Sequence, residues 1–92
     1  MRINVTENAN KVASLVGVKH NVEESEAYRL CVRADALRFA NMFKESVPKY
    51  LQSIMIQRKN PESYHGLALS YKYLGKYEKA IETFNKSIEI TP

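Results

Sequence analysis

The chain has 92 residues and a formal net charge of +4, and 45% of its residues are hydrophobic while 26% are charged. These proportions are those of an ordinary globular domain and exclude a predominantly disordered chain. Only three glycines and three prolines are present, too few for the turns of an all-β domain of this length, so the composition favours helices.

The sequence of residues 1–20 predicts one short helix. It does not have the pattern of a targeting segment or of a membrane segment. Thr6 can act as an N-cap, the apolar positions that follow run to Val16, and Gly17 can end the helix. Such a helix would cap the residues after it and would need that packing to be stable. The segment has no basic stretch followed by a long apolar run, so we expect neither secretion nor membrane insertion. The single cysteine, Cys31, allows no intrachain disulfide, and the prediction is a cytoplasmic protein.

Residues 21–59 predict two helices separated by a turn at Asn41. Asn21 opens a capping-box pattern, and the helix it begins is expected to run to about the residue before the turn. After glycine, asparagine is the residue that best tolerates left-handed backbone geometry, so Asn41 suits the position that ends a helix. The second helix contains Pro48, which a helix tolerates only in its first turn. We therefore expect this helix to start late, near Ser46, or to be kinked.

Residues 60–92 predict a second pair of helices with clear boundaries. Asn60 is a favourable N-cap, and Pro61 fits the first helical position, where its missing N–H costs nothing. Gly75 stands where a left-handed residue ends a helix, and Pro92 follows the last apolar position. Apolar residues recur at spacings of three and four, which is typical of one face of a helix. They are Tyr64, Leu67, Ala68, Tyr71 and Leu74, then Tyr77, Ala80, Ile81, Phe84, Ile88 and Ile90.

The two units repeat at an offset of 34 residues, a length typical of stacked helical hairpins. At this offset small residues meet small ones, and large apolar residues meet large apolar ones. Among the pairs are Ala34 with Ala68, Leu37 with Tyr71, Asn41 with Gly75, Phe43 with Tyr77, Ser46 with Ala80, Val47 with Ile81, Tyr50 with Phe84, Ser53 with Ser87 and Ile54 with Ile88. We predict an all-α fold of two antiparallel helix-turn-helix units, residues 21–59 and 60–92, with residues 1–20 as an N-terminal cap.

The second unit resembles the tetratricopeptide repeat (TPR). The matching positions are Tyr64, Leu67, Ala68, Tyr71, Ala80, Phe84 and Pro92. Tyr64 replaces the usual Trp and Ala68 the usual Gly, and both keep the required size class. Residues 21–59 look like a degenerate copy, with Leu30, Arg33 and Arg58 where the pattern has Trp, Leu and Pro. The resemblance implies an α-α superhelix that serves as a protein interaction scaffold, and it implies neither an enzyme nor a cofactor.

The repeat pattern also predicts which residues form the core. Two helices approach closely where small side chains face each other, here Ala68, Ala80 and Ser87. We expect large residues to fill the space beside them: Tyr71, Phe84 and Ile88, together with Tyr64 and Tyr77.

The resemblance further implies a concave groove lined by the first helix of each repeat. The family's ligand-contacting positions correspond here to Tyr28, Cys31, Asp35, Arg38, Glu62, His65, Leu69, Lys72 and Tyr73. This set mixes charges of both signs with aromatic and apolar groups, which suits a peptide or a helix better than a polyanion. Cys31 and Asp35 occupy places where some family members carry a Lys and an Asn that clamp the C-terminal carboxylate of chaperones. We therefore do not expect a chaperone clamp.

Other kinds of site have weaker support in the sequence. His20, His65 and Cys31 lack the spacing of a metal site. Cys31 also has no identifiable base that would make it a nucleophile, and a structural thiol is the favoured interpretation. No glycine-rich phosphate loop is present. Arg29, Arg33 and Arg38 could contact phosphates, but acidic residues interrupt them.

We therefore expect a scaffold that binds a protein or peptide partner, with two alternatives. One is a self-associating structural module of a larger repeat protein, and the other is a weak nucleic-acid binder. Ile88 and Ile90 would face water at the C-terminal edge of the second unit. This predicts either continuation into further repeats or a homo-oligomer through that edge.

Overall fold

A computed structural model describes residues 22–91 of the chain. In that range it contains four α-helices and no strand, which confirms the predicted all-α fold. The short helix predicted within residues 1–20 and the cap predicted at Asn21 lie outside the described residues. The helices are α1 (Val22–Phe39), α2 (Phe43–Ile56), α3 (Pro61–Tyr73) and α4 (Tyr77–Ile90). None of these helices is both long and apolar enough to cross a membrane.

The helix boundaries repeat at the 34-residue offset seen in the sequence. Helix α1 ends at Phe39 and α3 at Tyr73, while α2 and α4 span 14 residues each and begin at Phe43 and Tyr77. Helices α1 and α2 pack together as one hairpin, and α3 and α4 form the other. Helix α3 also packs against α2 and, over a smaller area, against α1. The two hairpins are therefore stacked through α3.

Both hairpins turn through the same backbone geometry. Asn41 has φ of 62° and Gly75 has φ of 79°, so both residues are left-handed as predicted. The next residue in each turn, Met42 or Lys76, donates its N–H to the carbonyl five positions back at 2.8 Å. This pattern is a Schellman motif, which satisfies carbonyls at the end of the helix. Asn41 therefore performs in the first turn the role that Gly75 performs in the second.

The start of α3 follows the predicted cap. The Asn60 side chain accepts a hydrogen bond from the backbone N–H of Ser63 at 3.3 Å, and Pro61 is the first helical residue. The amide nitrogen of Asn60 also donates to Ser53 Oγ at 3.0 Å. Asn60 therefore both caps α3 and connects it to α2.

The predicted late start of α2 is wrong. The helix begins at Phe43, and the N–H of Ser46 already donates to the carbonyl of Met42 at 3.0 Å. The left-handed residue Asn41 sets this start, because the tight turn returns the chain directly into a helix. Pro48 lies inside α2, where it gives up one backbone hydrogen bond, a cost that packing of the helix must offset.

Small residues form much of the contact between helices. Ala68 is 0% exposed and Ala80 is 3% exposed, and α3 and α4 pack together, so both alanines are buried as expected for the contact between these helices. The other buried apolar residues are Ala27, Cys31, Ala34, Tyr50 and Leu67. Burial of this apolar surface is the main force that holds the two hairpins together.

Serine hydroxyls connect the two helices of each hairpin at equivalent positions. Ser53 Oγ donates to the carbonyl of Ala27 at 2.6 Å, and its repeat counterpart Ser87 donates to the carbonyl of Pro61 at 3.1 Å. The donors lie 34 residues apart and so do the acceptors, which is independent evidence that the two hairpins are copies of one unit.

Two of the predicted core residues are exposed. Tyr77 is 65% exposed and Ile88 is 61% exposed, so their assignment to the core is wrong. Their counterparts in the first hairpin, Phe43 and Ile54, pack against α3. No helix of the described range packs against the equivalent face of α4. Tyr64, Tyr71 and Phe84 are half-buried.

Candidate partner-binding groove

The predicted groove residues lie on two neighbouring helices. Four of them are on α1 (Tyr28, Cys31, Asp35 and Arg38) and five are on α3 (Glu62, His65, Leu69, Lys72 and Tyr73). On each helix their spacing of three, four and one places them on one side. Helices α1 and α3 are in contact.

One cavity brings part of this set together. It has a volume of about 350 Å³ and is lined by Tyr28, Cys31, Val32, Asp35, Gln57, Asn60 and Glu62. Four of the predicted residues, Tyr28, Cys31, Asp35 and Glu62, are therefore neighbours in space. Tyr28 is 69% exposed and Val32 is 46% exposed, so the cavity has accessible aromatic and aliphatic surface beside its two carboxylates.

A residue that the sequence analysis did not assign to the groove holds Asp35 and Arg38 in place. The Tyr50 hydroxyl donates to Asp35 Oδ1, and Arg38 Nε donates to the Tyr50 hydroxyl oxygen at 2.9 Å. Arg38 Nη2 lies 3.5 Å from the same Asp35 oxygen. Tyr50 is fully buried on α2, so only its hydroxyl reaches the groove. These hydrogen bonds hold Asp35 and Arg38, two of the predicted partner-contacting residues, in position.

The same surroundings keep Tyr50 protonated. Burial raises the pKa of Tyr50, and its hydrogen bond to Asp35 raises the pKa further, to well above the ordinary value of a tyrosine. Tyr50 is therefore a stable hydrogen-bond donor at neutral pH.

Cys31 forms part of the cavity wall but offers little surface to a partner. The residue is only 6% exposed. Burial raises the pKa of its thiol, and the charges of Asp35 and Glu62 raise it as well, against a lowering by a hydrogen bond with Ser63. The neutral thiol is therefore favoured, which is the opposite of an activated nucleophile.

Gly66 sets how closely α3 approaches α2. A Cβ atom at this position would overlap the ring of Tyr50. Gly66 is buried in the middle of α3, where glycine is otherwise unfavourable. The close contact between Tyr50 and the α3 backbone explains why position 66 is a glycine. The repeat pattern alone did not indicate this contact.

The remaining predicted residues extend the surface away from the cavity. The Tyr73 ring stacks on Phe43 with centroids 4.7 Å apart, and the Lys72 ammonium lies 5.8 Å from the Tyr73 ring centroid. His65 is exposed and packs edge-on against Phe84 at 5.7 Å. Leu69 is half-buried. These residues lie on α3 and do not line the cavity.

Within residues 22–91, no group of three or more His, Cys, Asp or Glu side chains could hold a metal ion. Every buried side-chain nitrogen or oxygen in this range has a hydrogen-bond partner. The buried polar side chains of this range therefore have their hydrogen-bonding needs met within the chain itself.

The family model of the tetratricopeptide repeat matches residues 61–92. The searches of curated proteins and of solved structures gave no significant match. The matched segment contains α3 and α4, the hairpin whose sequence carries the family's pattern most fully.

Proposed function

We propose that this chain binds an extended peptide or a helix of a protein partner in the groove between α1 and α3, because the family model of the tetratricopeptide repeat matches residues 61–92. Tetratricopeptide repeats are in general protein-protein interaction modules. The specific groove and its residues are our proposal. We also propose that the chain acts by binding and not by catalysis.

The cavity beside α1 is the observation that carries this proposal. It combines the exposed ring of Tyr28 and the exposed side chain of Val32 with Asp35 and Glu62. Ligand sites are usually concave and largely apolar with a few polar groups that fix orientation. A cavity of about 350 Å³ accommodates one or two side chains of a peptide, not a whole small protein.

Charge along the groove gives the bound segment a direction. Asp35 and Glu62 lie at the cavity, whereas Lys72 lies beside Tyr73 near the other end of α3. A partner with a basic or polar residue over the cavity and an acidic residue near Lys72 would match this pattern. The carboxylates at the cavity also disfavour a polyanion such as nucleic acid.

Peptide selection tests the proposal. A library of random displayed peptides would be selected against the complete 92-residue chain, and the strongest peptide would be titrated by calorimetry. We expect Tyr28→Ala with Tyr73→Ala to weaken binding at least tenfold, since exposed aromatic residues are common anchors at interfaces. Both tyrosines are more than 60% exposed, and the unfolding curve of the double variant verifies that it folds.

Tyr77→Ala is the matched control, because Tyr77 is equally exposed, at 65%, but lies on α4 outside the groove. The proposal fails if the selected peptide binds the double variant as tightly as the natural chain. It also fails if Tyr77→Ala alone abolishes binding, or if selection gives no peptide that binds.

A further inference from the structure

The buried residue Tyr50 bonds through its hydroxyl to both Asp35 and Arg38. We propose that Tyr50 is a positioning residue of the groove, and that the oxygen of Asp35 it leaves free selects a lysine or arginine side chain of the bound peptide at the cavity. This role rests on the proposed function, because it concerns the same site. Tyr50 itself does not touch the peptide, since its side chain is fully buried.

The second hairpin shows that packing alone does not require the Tyr50 hydroxyl. Phe84 occupies the equivalent position at the 34-residue offset and has no hydroxyl. Leu69 occupies the position of Asp35 and has no carboxylate. The hydroxyl and its acceptor are therefore present together in the first hairpin and missing together from the second. This pairing indicates that the hydroxyl serves Asp35 and not the packing of the ring.

The Asp35 carboxylate makes its contacts within the described residues through one of its two oxygens. Oδ1 accepts a hydrogen bond from the Tyr50 hydroxyl, and Arg38 Nη2 lies 3.5 Å from the same atom. No hydrogen bond among residues 22–91 involves Oδ2. The Asp35 side chain is 35% exposed and lines the cavity, so Oδ2 is the acceptor left for a partner.

Arg38 is the group that would occupy both oxygens of Asp35 without the hydroxyl. Guanidinium groups favour a two-point pair with a carboxylate, and Arg38 lies three residues after Asp35 on α1. Its Nε instead donates to the Tyr50 hydroxyl at 2.9 Å, and its guanidinium carbon lies 4.6 Å from the Phe39 ring centroid. Because the Arg38 side chain is only 16% exposed, it acts on the peptide through Asp35.

The other groups at the cavity fit a cationic side chain. Glu62 lines the cavity together with Asp35, and Glu62 takes part in no ion pair within the described part of the chain. None of the described residues that line the cavity is basic. The guanidinium of Arg38 compensates one of the two carboxylates, so an excess of negative charge remains. The exposed Tyr28 ring lines the same cavity and can stack on an ammonium or guanidinium group.

Parallel selection from one displayed library of random peptides tests the proposal. The library would be selected against the complete 92-residue chain and against Tyr50→Phe, which removes only the hydroxyl. We expect lysine or arginine to be enriched at one peptide position with the natural chain and not with the variant. Tyr71→Phe is the matched control, because Tyr71 is half-buried and packs against the same core cluster as Tyr50. It should select the same basic residue as the natural chain.

Titration separates a positioning role from a purely structural one. The strongest peptide selected with the natural chain would be synthesised with its basic residue and with a neutral analogue, norleucine for lysine or citrulline for arginine. We expect the natural chain to prefer the basic peptide by roughly tenfold, the effect of one hydrogen bond to a charged group. Tyr50→Phe should remove this preference. A purely structural role would weaken both peptides equally and leave the ratio of the two affinities unchanged.

A double variant tests the competition between Arg38 and the peptide. Tyr50→Phe with Arg38→Met removes the hydroxyl and also the guanidinium that would pair with Asp35. We expect this variant to recover the preference for the basic peptide, because an oxygen of Asp35 is free again. Asp35→Asn alone should remove the preference, and this substitution keeps the test decisive if Tyr50→Phe does not fold. The unfolding curve of each variant verifies folding.

Three results would overturn the proposal and leave the proposed function intact. They are bound peptides without an enriched basic residue, an unchanged affinity ratio in Tyr50→Phe or in Asp35→Asn, and no recovery in the double variant. A selection that gives no binding peptide has a different meaning. It contradicts the proposed function itself, and the role of Tyr50 with it.

Discussion

Helices α2 and α4 carry equivalent apolar faces in different surroundings. On α2, Tyr50 is completely buried under α3, and its hydroxyl bonds to both Asp35 and Arg38. On α4, the counterpart Phe84 is half-buried, and its neighbour Ile81 is 62% exposed. The same position in the repeat is thus a core site in one hairpin and a surface site in the other. What a repeat residue contributes depends on whether another helix follows it in the stack.

The largest expected difference between the two hairpins lies at their central aromatic residues. Tyr50→Ala should lower the free energy of unfolding by about 3–5 kcal/mol, because it leaves a cavity between three helices. Phe84→Ala should cost roughly 1–2 kcal/mol, because part of the ring is already in water. Urea denaturation followed by circular dichroism measures both values. An equal loss of unfolding free energy in the two variants would mean that the apolar faces of α2 and α4 are equally covered.

Substitutions in the two turns are expected to have smaller effects on stability, and the two effects have opposite directions. Gly75→Ala should cost about 1 kcal/mol, because an L-residue is strained at a φ of 79°. A Cβ at Gly75 has no atom within 4 Å, so the cost comes from the backbone alone. Asn41→Gly should be close to neutral, with a gain of at most about 1 kcal/mol, because the same geometry becomes unstrained.

Thermal unfolding of these two variants checks the equivalence of the turns. An Asn41→Gly variant that unfolds much more easily than the natural chain would contradict it. That outcome would mean that the Asn41 side chain makes a contact that Gly75 does not need.

Local signals made most of the fold predictable. Asn60 with Pro61 marks the start of α3, and Gly75 marks its end, because caps and left-handed residues act through backbone hydrogen bonds nearby in sequence. The start of α2 was missed for a related reason. Pro48 predicts a late start, whereas the turn at Asn41 fixes where the helix begins.

The groove was less predictable because its support comes from another helix. Tyr50 lies on α2 and reaches Asp35 and Arg38 only once the hairpin has formed, so no spacing within α1 reveals it. The contact between Gly66 and Tyr50 likewise joins two helices. A helical pattern shows which residues share a face, but not whether another helix covers it, and Tyr77 and Ile88 were misassigned for that reason.

The most direct measurement compares Val47→Asp with Ile81→Asp in urea denaturation of the complete chain. Val47 packs against the buried core cluster, so a carboxylate there should lower the free energy of unfolding by about 2 kcal/mol or more. Ile81 occupies the same repeat position at 62% exposure, so its replacement should change stability by no more than about 0.5 kcal/mol. This difference in the loss of stability is expected if α3 covers the apolar face of α2 while the equivalent face of α4 is exposed to water. Equal losses for the two variants would contradict the account.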